Sequence, residues 1–261
     1  MTGVQTCALP ILRNVLAHLI QALRQHVPHA RFTGIGGPRM AAAGFQTMFP
    51  MEKLAVMGIV EVLRHVPSHW RLLRRLTARM EAGQVGLAIL IDYGGFNLRV
   101  AAAARRAGVP VLYYVTPQVW ASRPGRMKVM ARVITKAAVI LPFEEALLRQ
   151  HGVNARFVGH PLLDRAAALP SREEARARLG LPATGEVLAL FPGSRPQEIA
   201  RHTRDFAEVA RELVRRRPGL TVVIGLAPGV TLDPAALPFR TVSSASFDVL
   251  RAADEIGRAH V

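Results

Sequence analysis

The stretch that decides the fold runs from Leu87 to Arg126 and reads LAILIDYGGFNLRVAAAARRAGVPVLYYVTPQVWASRPGR. Ala88 to Ile91 is an apolar run of strand length, closed by Asp92 and a Gly94-Gly95 turn. Asn97 is placed to cap a helix from Leu98 to Ala107, Gly108 stops that helix, and Val109 to Val115 reads as a second buried strand. Strand, helix, strand is a parallel crossover unit. Such sheets take their ligands beyond the carboxyl ends of the strands. Asp92 and the Thr116-Pro117-Gln118 loop occupy two such ends. A carboxylate there accepts a proton or orients a substrate hydroxyl. Equally, Asp92 serves only to cap the next helix, and the pattern leaves both readings open.

Upstream, Val15 to Gln25 has helical spacing and Ala30 to Ile35 reads as a strand. The following Gly34-Ile35-Gly36-Gly37-Pro38-Arg39-Met40 is a strand, glycine turn and helix, without the third glycine of a dinucleotide fingerprint. Leu54 to Leu63 is apolar apart from Glu61, and Pro67 is expected to open a helix bearing Trp70, Leu72, Leu73 and Leu76 among arginines. Two readings apply to this region. Val56, Met57, Ile59, Val60, Trp70, Arg71, Arg74 and Arg75 form a surface for an anionic membrane, or the helix packs in the core with a solvated arginine face.

Downstream, Trp120 is followed by Arg123 and Arg126, which bind phosphate or face solvent. Met127 to Ile134 is a helix, Ala137 to Leu141 a strand, Pro142-Phe143-Glu144 the start of another helix, and Arg156 to Val158 a strand ending at Gly159-His160-Pro161. His160 touches substrate or holds the turn. Ser171 with Glu174 matches a capping box and marks a boundary near residue 165. The same grammar then restarts. Val187 to Phe191 is a strand, Pro192-Gly193-Ser194-Arg195 a tight loop, Glu198 to Arg216 a helix and Leu220 to Ile224 a strand. Phe239 to Val242 reads as another strand, and Ala245 to Ala252 as a helix. A glycine loop between strand and helix presents backbone N–H groups to an anion, and an adjacent arginine grips a diphosphate bidentately.

The chain has 261 residues, half of them hydrophobic, and a formal net charge of +16. All but three of its 34 basic residues are arginine, the exceptions being Lys53, Lys128 and Lys136. Such a charge favours polyanions and anionic surfaces. Zinc-finger spacing, an RNA-binding aromatic signature and a basic tail are all missing, so nucleic acid is not the expected partner. The only cysteine is Cys7, which excludes a disulfide and a cysteine metal site. There is no DxD motif to hold a divalent metal, and no cofactor is expected.

IDYGGFN, YYVTPQVWASRPGR, LPFE, VGHPLLD and FPGSRPQEI follow one another in the order seen in lipid-A-disaccharide synthases, and the chain resembles that family from about Arg13 to Asp254. The resemblance implies an α/β fold of two facing Rossmann-like domains of GT-B type, with the active site in the cleft. It implies inverting transfer of 2,3-diacylglucosamine from UDP-2,3-diacylglucosamine to 2,3-diacylglucosamine 1-phosphate at the cytoplasmic face of the inner membrane. Asp92 then falls on the general base. Gly193, Ser194, Arg195 and Glu198 fall on the nucleotide-sugar loop, with Arg195 stabilising the departing UDP without a metal. Asn97, Gln118, Trp120, Arg123, Arg126 and His160 are further acceptor, phosphate or loop candidates. Gly94 stands where the family usually has proline, and Ser122 where it has tryptophan. Two rivals are another UDP-sugar transferase or epimerase of the same architecture, and a basic module that binds membrane or nucleic acid without catalysis.

Thr6 to Ile11 and Glu255 to Val261 can be encoded by complementary strands of one oligonucleotide, which resembles read-through into a sequencing adapter. Residues 1–11 and 255–261 are therefore expected to be foreign and outside the fold. The first domain is expected over 12–165, without its first strand, and a truncated second domain over 166–254. The fragment is expected to be inactive or barely folded by itself.

Overall fold

The structure is a computed structural model that describes residues 2–6, 10–50, 59–166, 168–194, 196–227, 230–233, 238–243 and 245–258, with side chains excepted at 2–6, 10–15, 59–66, 122, 165, 196 and 197. The chain divides into two compact units, Met1–Leu163 and Asp164–Val261.

The first unit runs β1 (Thr2–Thr6), α1 (Pro10–His26), β2 (Phe32–Gly36), α2 (Pro38–Ala42), β3 (Gln46–Pro50), α3 (Ile59–Glu81) and β4 (Leu87–Ile91). It continues with α4 (Gly94–Arg106), β5 (Val111–Tyr114), α5 (Val119–Ser122), α6 (Arg126–Val133), β6 (Lys136–Val139), α7 (Pro142–Gln150) and β7 (Ala155–Phe157). The seven strands form one sheet in the order β3-β2-β1-β4-β5-β6-β7, and every pairing is parallel. The chain builds outward from β1 to β3, then returns through α3 to start β4 on the other side of β1. The strand order reverses between β1 and β4, and that crevice is where doubly wound sheets bind ligands.

Two expectations are corrected here. Residues 2–6 do not stand outside the fold: they form β1, paired with β2 on one side and β4 on the other. The expected missing strand is thereby filled. Parallel pairing is a backbone interaction, and a gap between β2 and β4 would leave two rows of peptide groups unpaired. Nor does Pro67 open a helix; it lies inside α3. Pro67 is exposed, so the carbonyl that its missing N–H would have met can turn to water.

Alternation along β4 explains the two-faced core. Ala88 and Leu90 pack with Leu72, Met80, Val100 and Tyr113 on the α3 and α4 side. Ile89 and Ile91 pack with Leu16, Ile20 and Phe32 on the α1 side. Burying each of these large side chains contributes about 1.5–3 kcal/mol.

The second unit follows α8 (Pro161–Ala166), which crosses the division, and runs α9 (Arg172–Arg178), β8 (Val187–Phe191), α10 (Pro196–Arg216), β9 (Thr221–Leu226), β10 (Arg240–Ser243), α11 (Ser246–Ala252) and β11 (Glu255–Arg258). Its sheet is parallel in the order β10-β9-β8-β11. Residues 255–258, set aside as foreign to the fold, pair with β8 along Leu188 to Phe191 by the same backbone logic. The capping box is present: Ser171 Oγ accepts from the Glu174 N–H at 3.1 Å, and Glu174 Oε2 accepts from the Ser171 N–H at 2.9 Å. Asp254 ties the unit together, accepting from the Val187 N–H at 2.8 Å and pairing with Arg172 and Arg176 at 2.7 Å each. Here too the strand order reverses beside the first strand, between β8 and β11.

Candidate active site

Asp92 follows β4 at the first unit's reversal point. Its N–H donates to the Val115 carbonyl at 3.0 Å, one bond beyond the regular ladder. There both strands leave the sheet through left-handed backbone: φ is 49° at Asp92, 44° at Tyr93 and 55° at Val115. For a β-branched residue such as valine this is a true outlier. Each such residue costs about 1–3 kcal/mol and persists only where its surroundings over-determine it. The determining contacts are visible. Asn97 Nδ2 donates to the carbonyls of Ile91 at 3.0 Å and Asp92 at 2.8 Å, and the Tyr113 hydroxyl donates to the Asp92 carbonyl at 2.6 Å. Asn97 and Tyr113 are both wholly buried.

Neither Asp92 nor Asn97 caps α4. The cap position is Tyr93, in left-handed conformation and with no side-chain cap, and the helix starts at Gly94 rather than Leu98. Asn97 sits instead in the first helical turn, where it reaches back to the end of β4. The Asp92 carboxyl is free of a capping role. Burial pushes it above the ordinary carboxylate value, against a weaker opposing hydrogen bond from the Tyr93 N–H. A carboxylate raised in this way is a stronger base at neutral pH.

The walls of this turn come from three elements. His69 Nε2 on α3 lies 2.8 Å from the Tyr93 hydroxyl, and its ring meets Phe96 edge-on at 5.6 Å. From the other side the 116–118 loop closes in: a Cβ on Gly94 would sit 2.6 Å from Pro117 Cβ, so this approach requires glycine. Asn97 Oδ1 and Thr116 Oγ1 are buried without a hydrogen-bond partner among the described residues. Gln118 is exposed at the cap of α5, and half-buried Trp120 donates its indole N–H to Glu144 Oε1 at 3.1 Å. Glu144, buried at the start of α7, also accepts from the Leu141 N–H at 3.3 Å. Arg123 is exposed and Arg126 half-buried. At the turn after β7, His160 Nδ1 accepts from the Leu162 N–H at 3.2 Å.

In the second unit the loop after β8 is held from within. Gly193 has φ 147°, and a Cβ there would meet Glu198 Cβ at 2.5 Å. Glu198 Oε2 accepts from the Ser194 N–H at 2.8 Å and lies 3.4 Å from its hydroxyl. His202, one helical turn further on, places Nδ1 3.2 Å from the Pro192 carbonyl. Arg195 lies outside the described residues.

Trp70 on α3 is 56% exposed, with the Arg74 guanidinium 5.3 Å from its ring, while Arg71, Arg74 and Arg75 are exposed and Leu72 is buried. The helix therefore has both a core face and an arginine face with an aromatic on it. Val56 and Met57 lie outside the described residues, as do the side chains of Ile59 and Val60. Among the described residues no helix is long and apolar enough to cross a membrane. A cavity of about 30 Å³ between α3 and the sheet, bordered by Met48, Leu76, Arg79, Met80 and Val100, has room for a water but not for a sugar.

Tyr113, Glu144 and His202 escaped the sequence reading. The signal for the first was present: in the strand pair Tyr113-Tyr114 one ring must face inward, and a buried tyrosine hydroxyl needs an acceptor.

Together these features define an α/β protein built of two Rossmann-like parallel-sheet units of GT-B type. Over 100% of its length it is similar to the UDP-GlcNAc 2-epimerase from Neisseria meningitidis bound to UDP-GlcNAc, at TM-score 0.54 and 11% identity, covering 71% of that chain. It is likewise similar to the calicheamicin glycosyltransferase CalG4, at TM-score 0.57 and 13% identity, with 99% of this chain and 74% of that one covered. At such identities the likeness speaks for the fold alone. The family comes from sequence: a model of the lipid-A-disaccharide synthetase family matches residues 13–231, and the chain belongs to that family. Lipid-A-disaccharide synthases from Syntrophotalea carbinolica and Pseudomonas aeruginosa are 40% and 39% identical to it over 92% and 91% of its length. The chain spans 63% and 65% of those two relatives.

Proposed function

We propose that the protein to which this chain belongs transfers 2,3-diacylglucosamine from UDP-2,3-diacylglucosamine to 2,3-diacylglucosamine 1-phosphate, releasing UDP and inverting the anomeric centre. The observation that carries the reading is the Asp92 carboxyl, raised by burial at the reversal point of the first sheet in a chain of this family. In this reading Asp92 takes the proton of the acceptor hydroxyl as it attacks the anomeric carbon, a step worth about 10²–10⁴-fold. The departing diphosphate is met by the loop of Gly193 and Ser194 and by Arg195, so that hydrogen-bond donors replace a metal. Glu198 supports that loop from behind rather than touching the nucleotide. Trp70 with Arg71, Arg74 and Arg75 faces the anionic surface of the inner membrane, where both acylated substrates reside.

The test is calorimetric titration of the purified chain with UDP-2,3-diacylglucosamine and with UDP-N-acetylglucosamine, alongside a disaccharide assay. The acylated donor should bind more tightly, and any disaccharide 1-phosphate formed should vanish in Asp92→Asn. Equal binding of the two donors, or epimerisation of UDP-N-acetylglucosamine, would sink the reading in favour of the epimerase alternative.

A further inference from the structure

We propose that Tyr113 is a positioning residue for Asp92: with Asn97 it grips the Asp92 main-chain carbonyl and so holds the left-handed turn that fixes where the carboxyl sits. The role given to Asp92 rests on the proposed function; the grip itself does not.

The carbonyl of Asp92 receives two donors from two different elements. Tyr113 comes from the neighbouring strand β5 and Asn97 from the helix that follows. At 2.6 Å the tyrosine bond is the shorter of the two. The peptide that carries this carbonyl joins the two left-handed residues Asp92 and Tyr93. In relaxed extended or helical backbone that carbonyl would point elsewhere; the buried Tyr113 hydroxyl would lose its acceptor, and Asn97 would keep only its bond to the Ile91 carbonyl. Tyr113 and Asn97 thus select the strained conformer against the relaxed ones. Both side chains bond main-chain carbonyls rather than the carboxyl, so their effect on Asp92 passes through the backbone. Burial above all pushes the Tyr113 phenol well above its ordinary value, so it keeps its proton near neutral pH. The grip is therefore not itself a pH switch. The other ionisable groups tied to the turn are Tyr93, next in the chain, and His69 on α3, which meets the Tyr93 hydroxyl.

A structural role for Tyr113 would change stability and leave Asp92 as it is. A positioning role changes the environment of the carboxyl. The experiment follows the Asp92 side-chain ¹³C resonance against pH in the full chain labelled at aspartate, with Asp92→Asn assigning the peak. The wild type should titrate above the ordinary aspartate value. In Tyr113→Phe the midpoint should fall by roughly 0.5 pH unit or more, as the released turn lets the carboxyl find water. Asn97→Ser should shift it in the same direction and keeps the question open to refutation if Tyr113→Phe fails to fold. An unchanged midpoint in a folded variant, even with a lowered urea midpoint, would overturn the proposal. Transfer that survives in Asp92→Asn would instead refute the catalytic reading and leave the grip standing.

Discussion

Asp92 and Val115 are joined by one backbone hydrogen bond of 3.0 Å, and both carry positive φ. Two adjacent parallel strands thus turn out of the sheet at the same level through residues that ordinarily avoid that conformation. The strain is concentrated at the reversal point of the sheet, where this architecture receives its ligands.

Replacing Asp92 by asparagine should raise stability at neutral pH while removing the proposed base. The folded value of its carboxyl lies above the unfolded one, so the native state binds the proton more readily. Ionised Asp92 is therefore a burden at pH 7. That burden lightens as pH falls through the raised folded value and is gone below the unfolded value, near 3.9. Urea midpoints for wild type and Asp92→Asn should differ at pH 7 and converge near pH 4. A wild type that is the more stable at pH 7 would contradict the environment assigned to this carboxyl.

Asp254 has the opposite sign. Its hydrogen bond from the Val187 N–H, then its attraction to Arg172 and Arg176, hold its carboxyl below the ordinary range despite partial desolvation. The stability it contributes is present above the unfolded value and is lost as pH falls through the lower folded one, below about pH 4. Arg176 is only 4% exposed. Asp254→Ala should therefore cost about 1–2 kcal/mol, less than a fully buried pair, because Asp254 is exposed and only Arg176 loses a partner inside the fold. Amide exchange along β8, starting at Val187, reports the loss.

Gly193→Ala should cost about 1–3 kcal/mol, since the added methyl meets Glu198 in a backbone region reserved for glycine. The same substitution should speed hydrogen exchange at the Ser194 amide, now held by Glu198. Glu198→Ala should speed exchange there too while sparing the local geometry of Gly193. Slow exchange in both variants would remove Glu198 from its supporting role.

Trp70→Ala should weaken sedimentation of the chain with phosphatidylglycerol vesicles by roughly tenfold while leaving the fold unchanged, because the ring is exposed with the Arg74 guanidinium over it. Loss of binding in high salt alone, with no effect of Trp70→Ala, would assign the attraction to the arginines and leave the ring without a role.

Gly94 shows how a local departure acquires meaning in three dimensions. In sequence it is a glycine where the family resemblance leads one to expect proline. In the structure Pro117 approaches so closely that any Cβ at 94 forces one of them to move. Proline at 94 would need a different path for the 116–118 loop.

The parallel crossover pattern, the two repeated units, the strand-end position of Asp92 and the capping box at Ser171 were all legible along the chain. Each depends on periodicity or on contacts within a few residues. Which strands neighbour one another was not legible, and neither was the strand at 2–6: backbone pairing leaves no mark on side-chain order, so residues set aside as foreign could complete the sheet. The grip of Tyr113 on Asp92, 21 residues away, and of Asp254 on Arg176, 78 residues away, arise only when separate elements are packed together. Sequence by itself determined the family and the residue types available for chemistry. Tertiary structure decided which of them are buried, strained or held, because burial and strain are properties of neighbours that the chain brings together only on folding.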